Sequence, residues 1–330
     1  MSAFSHAILY TLLLGASVIT GFFSYEGRIS LNSQGLEALE IVEEYAVSSP
    51  LEEMGASVKM EEYESDETTV ELTLENGEKT KMSLEEYVTG VLLAEMPSWY
   101  SEEALKAAAV AVRTYTVYNL EASGHICTHP SHCQAFYTFE NICDLWGEKS
   151  AREVYEKMLF ATESTEGEIL LYDGEPILAV YHASSYLHTR PSSEVFGGDR
   201  AYLVSVSVPF EDEAETQIRK SRVPKHTLYS TLKAEGGVDA VWDGSRCVGL
   251  RVGDKTFASS DIRSLFGLAS ASFEVSEDGE DYVFKTYGYG HGVGLSQSGA
   301  DILAQRGWSY FEILFHYYKN TSLAILKNNE

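Results

Sequence analysis

Residues 83–122 constrain the fold more than any other stretch, because their punctuation fixes two helices and the corner between them. Ser83 followed three residues later by Glu86 forms a capping box, in which each side chain satisfies a backbone amide of the other. Leu84, Val88, Val91 and Leu92 then recur at helical spacing and predict one buried face. Glu95 falls next on that stripe, and Pro97 stops the helix, since the residue before a proline is biased away from α geometry. A second helix opens at Ser101, with Glu102 and Glu103 in the first turn where the dipole favours them, and runs to about Ala122. Lys106 and Arg113 lie two turns apart on one of its faces. Taken alone they read as ordinary surface cations, and Glu95 as a residue that pairs with a cation or reaches solvent. Another reading of Glu95 is chemical. A carboxylate at a helix C-terminus opposes the macrodipole, and one on an apolar stripe loses hydration. Both effects raise its pKa, as a general acid near neutrality requires.

The flanking segments set the organisation. Ala7 to Phe23 is 17 residues without a charge, the short end for a membrane-spanning helix. No small-x-small cleavage site follows, so an uncleaved anchor over residues 1–24 is expected. Arg28 follows the segment and no Lys or Arg precedes it, so the positive-inside rule selects no side. Residues 25–66 read as an acidic stalk and 67–325 as the functional domain. Val70 to Leu74 and Lys79 to Met82, around Glu75-Asn76-Gly77, read as a hairpin. Strand-like runs follow at Glu168–Tyr172, Ile177–His182, Tyr202–Val208 and Cys247–Val252. A Gly-rich segment at 288–299 precedes helical sequence over Ala300–Tyr318. The expected architecture is α+β: a single mixed α/β domain with a protruding arm around 211–280, preceded by the transmembrane helix. A net charge of −26 argues against nucleic acid as a partner, because phosphate binding needs surplus Lys and Arg.

His125, Cys127, His129, His132 and Cys133 crowd into nine residues. Thiolates and imidazoles suit tetrahedral zinc, and a Cys127–Cys133 disulfide is the competing reading. Cys143 and Cys247 read as small buried hydrophobes. Gly294-Leu-Ser296-Gln-Ser298 does not make a nucleophile elbow, which needs glycine where Ser298 stands.

Five ordered motifs carry more than any of these alone. EYVTGVLLAEMP (86–97), EALKAAAVAVRTY (103–115), CTHPSHCQAF (127–136), YHASS (181–185) and GYGHGVGLSQSGADILAQRG (288–307) closely resemble the stage II sporulation protein D family. SDIRSLFGLASASFEV (260–275) and EILFHYYKNTSL (312–323) resemble it too. That family comprises lytic transglycosylases of spore-forming bacteria. The resemblance implies that Glu95 is the catalytic carboxylate and that Lys106 and Arg113 are groove cations. It also implies that Tyr181 and Ser185 contact substrate, with His291, Ser296 and Gln297 lining the same cleft. Its glycines would let backbone approach a sugar closely. Cys127, His132 and Cys133 match the structural zinc ligands of some members, with His125 as the fourth ligand and His129 or a more distant side chain as alternatives. No organic cofactor is implied.

The implied reaction needs one carboxyl group. Retaining glycosidases ordinarily place an acid and a nucleophile about 5 Å apart. A lytic transglycosylase instead protonates the glycosidic oxygen between N-acetylmuramic acid and N-acetylglucosamine. It then deprotonates the muramoyl C6 hydroxyl, which closes onto C1 as a 1,6-anhydro end. Also implied are peptidoglycan glycan strands stripped of peptides as substrate, and a septal, extracytoplasmic setting during engulfment. The implied partners are an amidase and a multispanning membrane protein. The wider family includes amidase enhancers, which gives the rival expectation of a non-catalytic glycan binder. One segment departs from the family: Ser185-Tyr186-Leu187-His188-Thr189 stands where relatives carry Ser-Gly-Gly before a threonine.

Overall fold

A computed structural model of the protein describes residues 60–65, 69–73, 79–124, 126–127, 134–208 and 217–327. The anchor at 1–24, most of the stalk at 25–66 and the hairpin turn at 74–78 lie outside the described residues. Among the described residues no helix is long and apolar enough to cross a membrane.

The hairpin forms with strands Thr69–Thr73 and Lys79–Ser83, in a register that pairs Val70 with Met82. Ser83 then caps helix α1, Leu84–Glu95, through the reciprocal capping box with Glu86. Leu84, Val88, Val91 and Leu92 are all buried in one core, as their spacing predicts. Helix α2, Glu102–Ser123, is the central element. Its alanines face two cores, one shared with α1 and one shared with the C-terminal helices. An alanine-rich helix suits that position because small side chains let neighbours approach on several sides.

Helices α3, Phe139–Trp146, and α4, Glu148–Glu163, follow; α3 packs on α4, and α4 on α1. A four-stranded sheet joins distant parts of the chain. Ser322–Lys327 lies at its centre, parallel to Glu61–Glu64 and antiparallel to Glu168–Tyr172, with Glu175–Pro176 at the edge. Of the expected run Ile177–His182 only Tyr181–His182 is a strand, and it pairs in parallel with Leu295–Ser296. Tyr202–Val208 contributes an isolated bridge, His188 to Ser207, and no extended strand.

The excursion expected at 211–280 is bounded by strands Ile218–Pro224 and Asp281–Tyr287, which pair with each other. It contains helices α5, Lys225–Leu232, and α6, Ser259–Phe266, and two three-stranded antiparallel sheets. Val223, Leu228, Leu250, Ile262, Phe273 and Phe284 give it a core of its own. The expected single C-terminal helix is two, α7 at Gln297–Gln305 and α8 at Tyr310–Tyr317. Gly307 in left-handed backbone and a second capping box, Ser309 with Glu312, separate them. The mixed α/β expectation holds.

Candidate active site

Glu95 is the last residue of α1, where Pro97 breaks the helix. It keeps partial solvent contact, yet enough protein surrounds its carboxyl that burial pushes its pKa above the ordinary value. The opposing influence is the Ala135 backbone amide, which donates to Oε1 at 3.0 Å and favours the ionised form. A carboxyl both reachable and starved of water suits proton transfer.

Ala135 is delivered by a segment that runs along α1. Tyr137 N–H donates to the Gly90 carbonyl at 3.0 Å, and Phe136 stacks on Tyr87 with centroids 5.6 Å apart. Gly90 is required there, since a Cβ would lie 2.1 Å from the Phe136 ring. Beside Ala135, the buried Gln134 donates from Nε2 to the Tyr181 hydroxyl at 3.0 Å. Burial first, and then the Glu95 charge, push the Tyr181 phenol well above its ordinary pKa. From the C-terminal side, Gln297 Nε2 donates to the Glu95 backbone carbonyl at 3.3 Å. Tyr181 and Gln297 therefore gather around Glu95.

Ser185 and His291 sit further along the same strand-and-loop unit. His182 Nδ1 is 3.1 Å from the Val293 carbonyl, which can only accept, so Nδ1 carries the proton. Its Nε2 then accepts from the Ser185 hydroxyl at 2.6 Å. Burial pushes the His182 pKa down to about 3 and that of His291 down to about 4, so both rings are neutral near pH 7. The His291 ring packs against His182 at 5.6 Å and Phe196 at 5.2 Å. A cavity of about 60 Å³ beside His291, also lined by Asp261 and Arg263, has room for a few waters and not for a sugar ring.

Two expectations are corrected. Arg113 is not a groove cation, because its side chain is wholly buried. It forks onto Glu85 at 2.8 and 2.6 Å and donates to the Thr162 and Glu168 carbonyls, clamping α1, α4 and the central sheet together. Ser296 is fully buried, and its hydroxyl accepts from Gly299 N as the N-cap of α7. Two of the loop glycines, besides any approach to a sugar, are in close contact with the protein's own backbone. A Cβ on Gly294 would lie 2.0 Å from the Val180 carbonyl, and one on Gly288 would lie 2.8 Å from that of Ser184.

Lys106 is mostly buried and is held by Glu102 at 2.5 Å and Glu103 at 3.0 Å, with its ammonium over the Phe160 ring. Burial works against its charge, but the two carboxylates outweigh burial and raise its pKa. His125, His129, His132 and Cys133 lie outside the described residues, as does the side chain of Cys127. The backbone of Cys127 is described, paired in parallel with Thr73. Cys247 is buried and Cys143 half-buried, both free thiols. Leu187 adopts left-handed backbone at φ 61°, while Tyr186 stacks on Tyr287 at 4.6 Å. Sequence reasoning missed Gln134 and Ala135. Both lie in the Cys-Gln-Ala-Phe end of a noted motif, but nothing local marks their partners.

A family model described as stage II sporulation protein matches residues 75–172. Stage II sporulation protein D of Bacillus subtilis is 33% identical over 262 residues, covering 73% of this chain and 74% of that protein. Its counterpart in Bacillus amyloliquefaciens is 31% identical over 255 residues, with the same shares covered. A B. subtilis protein named amidase enhancer is 25% identical over 299 residues, 71% of this chain and 40% of that one. Identity at this level over about three quarters of both chains settles the family: the chain belongs to the stage II sporulation protein D family, which acts in sporulation.

Proposed function

We propose that this protein is a peptidoglycan lytic transglycosylase in which Glu95 is both acid and base. The observation that carries the reading is the Glu95 carboxyl itself: reachable from solvent, raised in pKa by burial, and touched by one backbone donor. The raised pKa keeps a population protonated to deliver a proton to the glycosidic oxygen. Once ionised, the carboxylate is stabilised by the Ala135 amide and takes the proton of the muramoyl C6 hydroxyl, which attacks C1. Bonds balance without water: the C1–O4 link breaks, the O6–C1 link forms, and the proton passes through Glu95. Tyr181 and Gln297 lie beside the acid and Ser185 and His291 further along the same unit, and the neutral histidines leave the charge of the acid undisturbed.

Cys127, His132 and Cys133 with His125 form a donor set of thiolates and imidazoles that fits a structural zinc. Such an ion would tie down the segment whose sequence leads directly into Gln134 and Ala135. We place the protein outside the cytoplasm, held by residues 1–24, working on peptide-stripped septal strands beside an amidase and a multispanning membrane protein. A second reading, a non-catalytic enhancer that holds glycan for an amidase, is favoured by the relative named amidase enhancer. Purified glycan strands incubated with wild type and Glu95→Gln separate the two. Cleavage lost with binding kept supports the enzyme, whereas no cleavage by either protein supports the enhancer.

A further inference from the structure

Arg113 is locked in a clamp and Lys106 is held by two glutamates, so both cations are committed within the protein. Arg263, in α6, is placed differently. It lines the cavity of about 60 Å³ beside His291, together with Val195, Ser260 and Ala271. Buried Arg190, 4% exposed, fixes the walls of that cavity. Its guanidinium donates to Glu194 at 3.1 Å, to the Ser259 hydroxyl at 3.0 Å and to the Cys247 and Ala271 carbonyls at 2.8 Å. Ala271 is itself a wall residue, while Glu194 and Ser259 immediately precede Val195 and Ser260. Gly290 N–H donates to the Ala269 carbonyl at 3.0 Å and seats the loop that carries His291. Phe196, next to Val195, is 43% exposed and meets the His291 ring edge to face at 5.2 Å. Its own N–H donates to the Ser192 carbonyl at 2.9 Å, which steadies the ring's backbone. One imidazole is thus flanked by an open apolar ring and a small polar cavity, the mixture found in ligand sites.

Volume and chemistry limit what can enter. Space for a few waters admits a carboxylate on a short arm and excludes a sugar ring or a peptide. Arg263 carries the forked donor that a carboxylate fits, and Ser260 and Ser264 add hydroxyls. Asp261 is the opposing charge in the lining, and it is exposed. We propose that this cavity is a subsite for the free lactyl carboxylate of a muramoyl residue, whose ring lies against Phe196 while its acidic arm reaches Arg263. The inference rests on the transglycosylase reading and gives it a means of selection. A strand still carrying peptide has an amide at that point, uncharged and too bulky to enter.

Two forms of peptide-stripped glycan strand test the subsite, one with free lactyl carboxylates and one with each converted to a methylamide. Wild type should show a KM about tenfold higher for the methylamide, about what one charge-assisted hydrogen bond contributes, with kcat within about twofold. Arg263→Met should raise KM for the free form alone and so lose the discrimination, and Arg263→Lys should restore part of it. Asp261→Asn should lower KM for the free form, and Phe196→Ala should raise KM for both. Equal KM values for the two forms in wild type would overturn the proposal. So would discrimination kept by Arg263→Met, or an unchanged KM in Phe196→Ala. Should the Arg263 variants fail to fold, the wild-type comparison decides alone. Binding of the two strand forms to Glu95→Gln reads the subsite without cleavage. A preference for the free form there, with no cleavage by wild type, would reject the reaction and keep the subsite; equal binding would overturn the subsite.

Discussion

Replacing Gly90 with alanine should damage the reaction more than the fold. The new Cβ would lie 2.1, 2.6 and 2.8 Å from three carbons of the Phe136 ring. Carbon atoms settle at about 3.5–4.0 Å, so the ring must recede by roughly 1.5 Å. Phe136 cannot move alone, since it stacks on Tyr87 and its neighbour Tyr137 is bonded to the Gly90 carbonyl. The displacement therefore spreads to Ala135, whose 3.0 Å hydrogen bond to Glu95 has little room to stretch. Overpacking of this kind costs about 1–3 kcal/mol, offset by about 1 kcal/mol for a better helix former, so the net loss of stability is at most about 2 kcal/mol. The amide donates to a charged group, a contact worth about 1.5–3 kcal/mol to the ionised acid. Its loss disfavours the carboxylate and raises the Glu95 pKa, so the basic limb of the pH–rate profile should move up while kcat falls. Urea unfolding and a pH series of glycan cleavage measure the two effects. Phe136→Leu in the same chain should make room for the methyl and recover part of the activity. A stability loss near 2 kcal/mol with an unchanged pH profile would refute the coupling between Gly90, Phe136 and Glu95.

Further outcomes follow from the same geometry. Arg113→Met should destabilise the protein by about 3 kcal/mol in urea unfolding, because it breaks a part-buried ion pair and removes two charged hydrogen bonds to backbone carbonyls. An inactive variant of full stability would instead restore Arg113 to the site. Glu95→Gln should be more stable than wild type at pH 7. The folded state raises the Glu95 pKa, so wild type loses stability as pH rises through that value; the advantage of glutamine should vanish below the ordinary carboxylate value of 4.5. Ser296→Ala should cost about 1 kcal/mol as a lost helix cap and leave KM unchanged, whereas a large rise in KM would return the hydroxyl to the substrate.

Local chemistry was the legible part of the chain. The Ser83–Glu86 box, the proline stop and the apolar stripe placed Glu95 at the end of α1 because each of those signals acts within a few residues. Arg113 was misplaced because its partner Glu85 is 28 residues away and on another helix, and no periodicity reveals that pairing. The glycines at 288, 290 and 294 mark close backbone approach in any reading, but sequence could not say that residues 180–185 make it. The break between α7 and α8 was legible in retrospect: Gly307 and the Ser309–Glu312 box are the same punctuation that defined α1. Gln134 and Ala135 escaped notice because a buried amide and a backbone N–H acquire a role only when the fold brings Tyr181 and Glu95 to them.

Mass analysis of glycan strands digested by the wild-type protein puts the chemistry of Glu95 to the most direct trial. New muramoyl ends should lack one water, as the 1,6-anhydro form does, and Glu95→Gln should produce none. Ends that carry a full water, or undiminished cleavage by the glutamine variant, would contradict a single carboxyl acting as both acid and base.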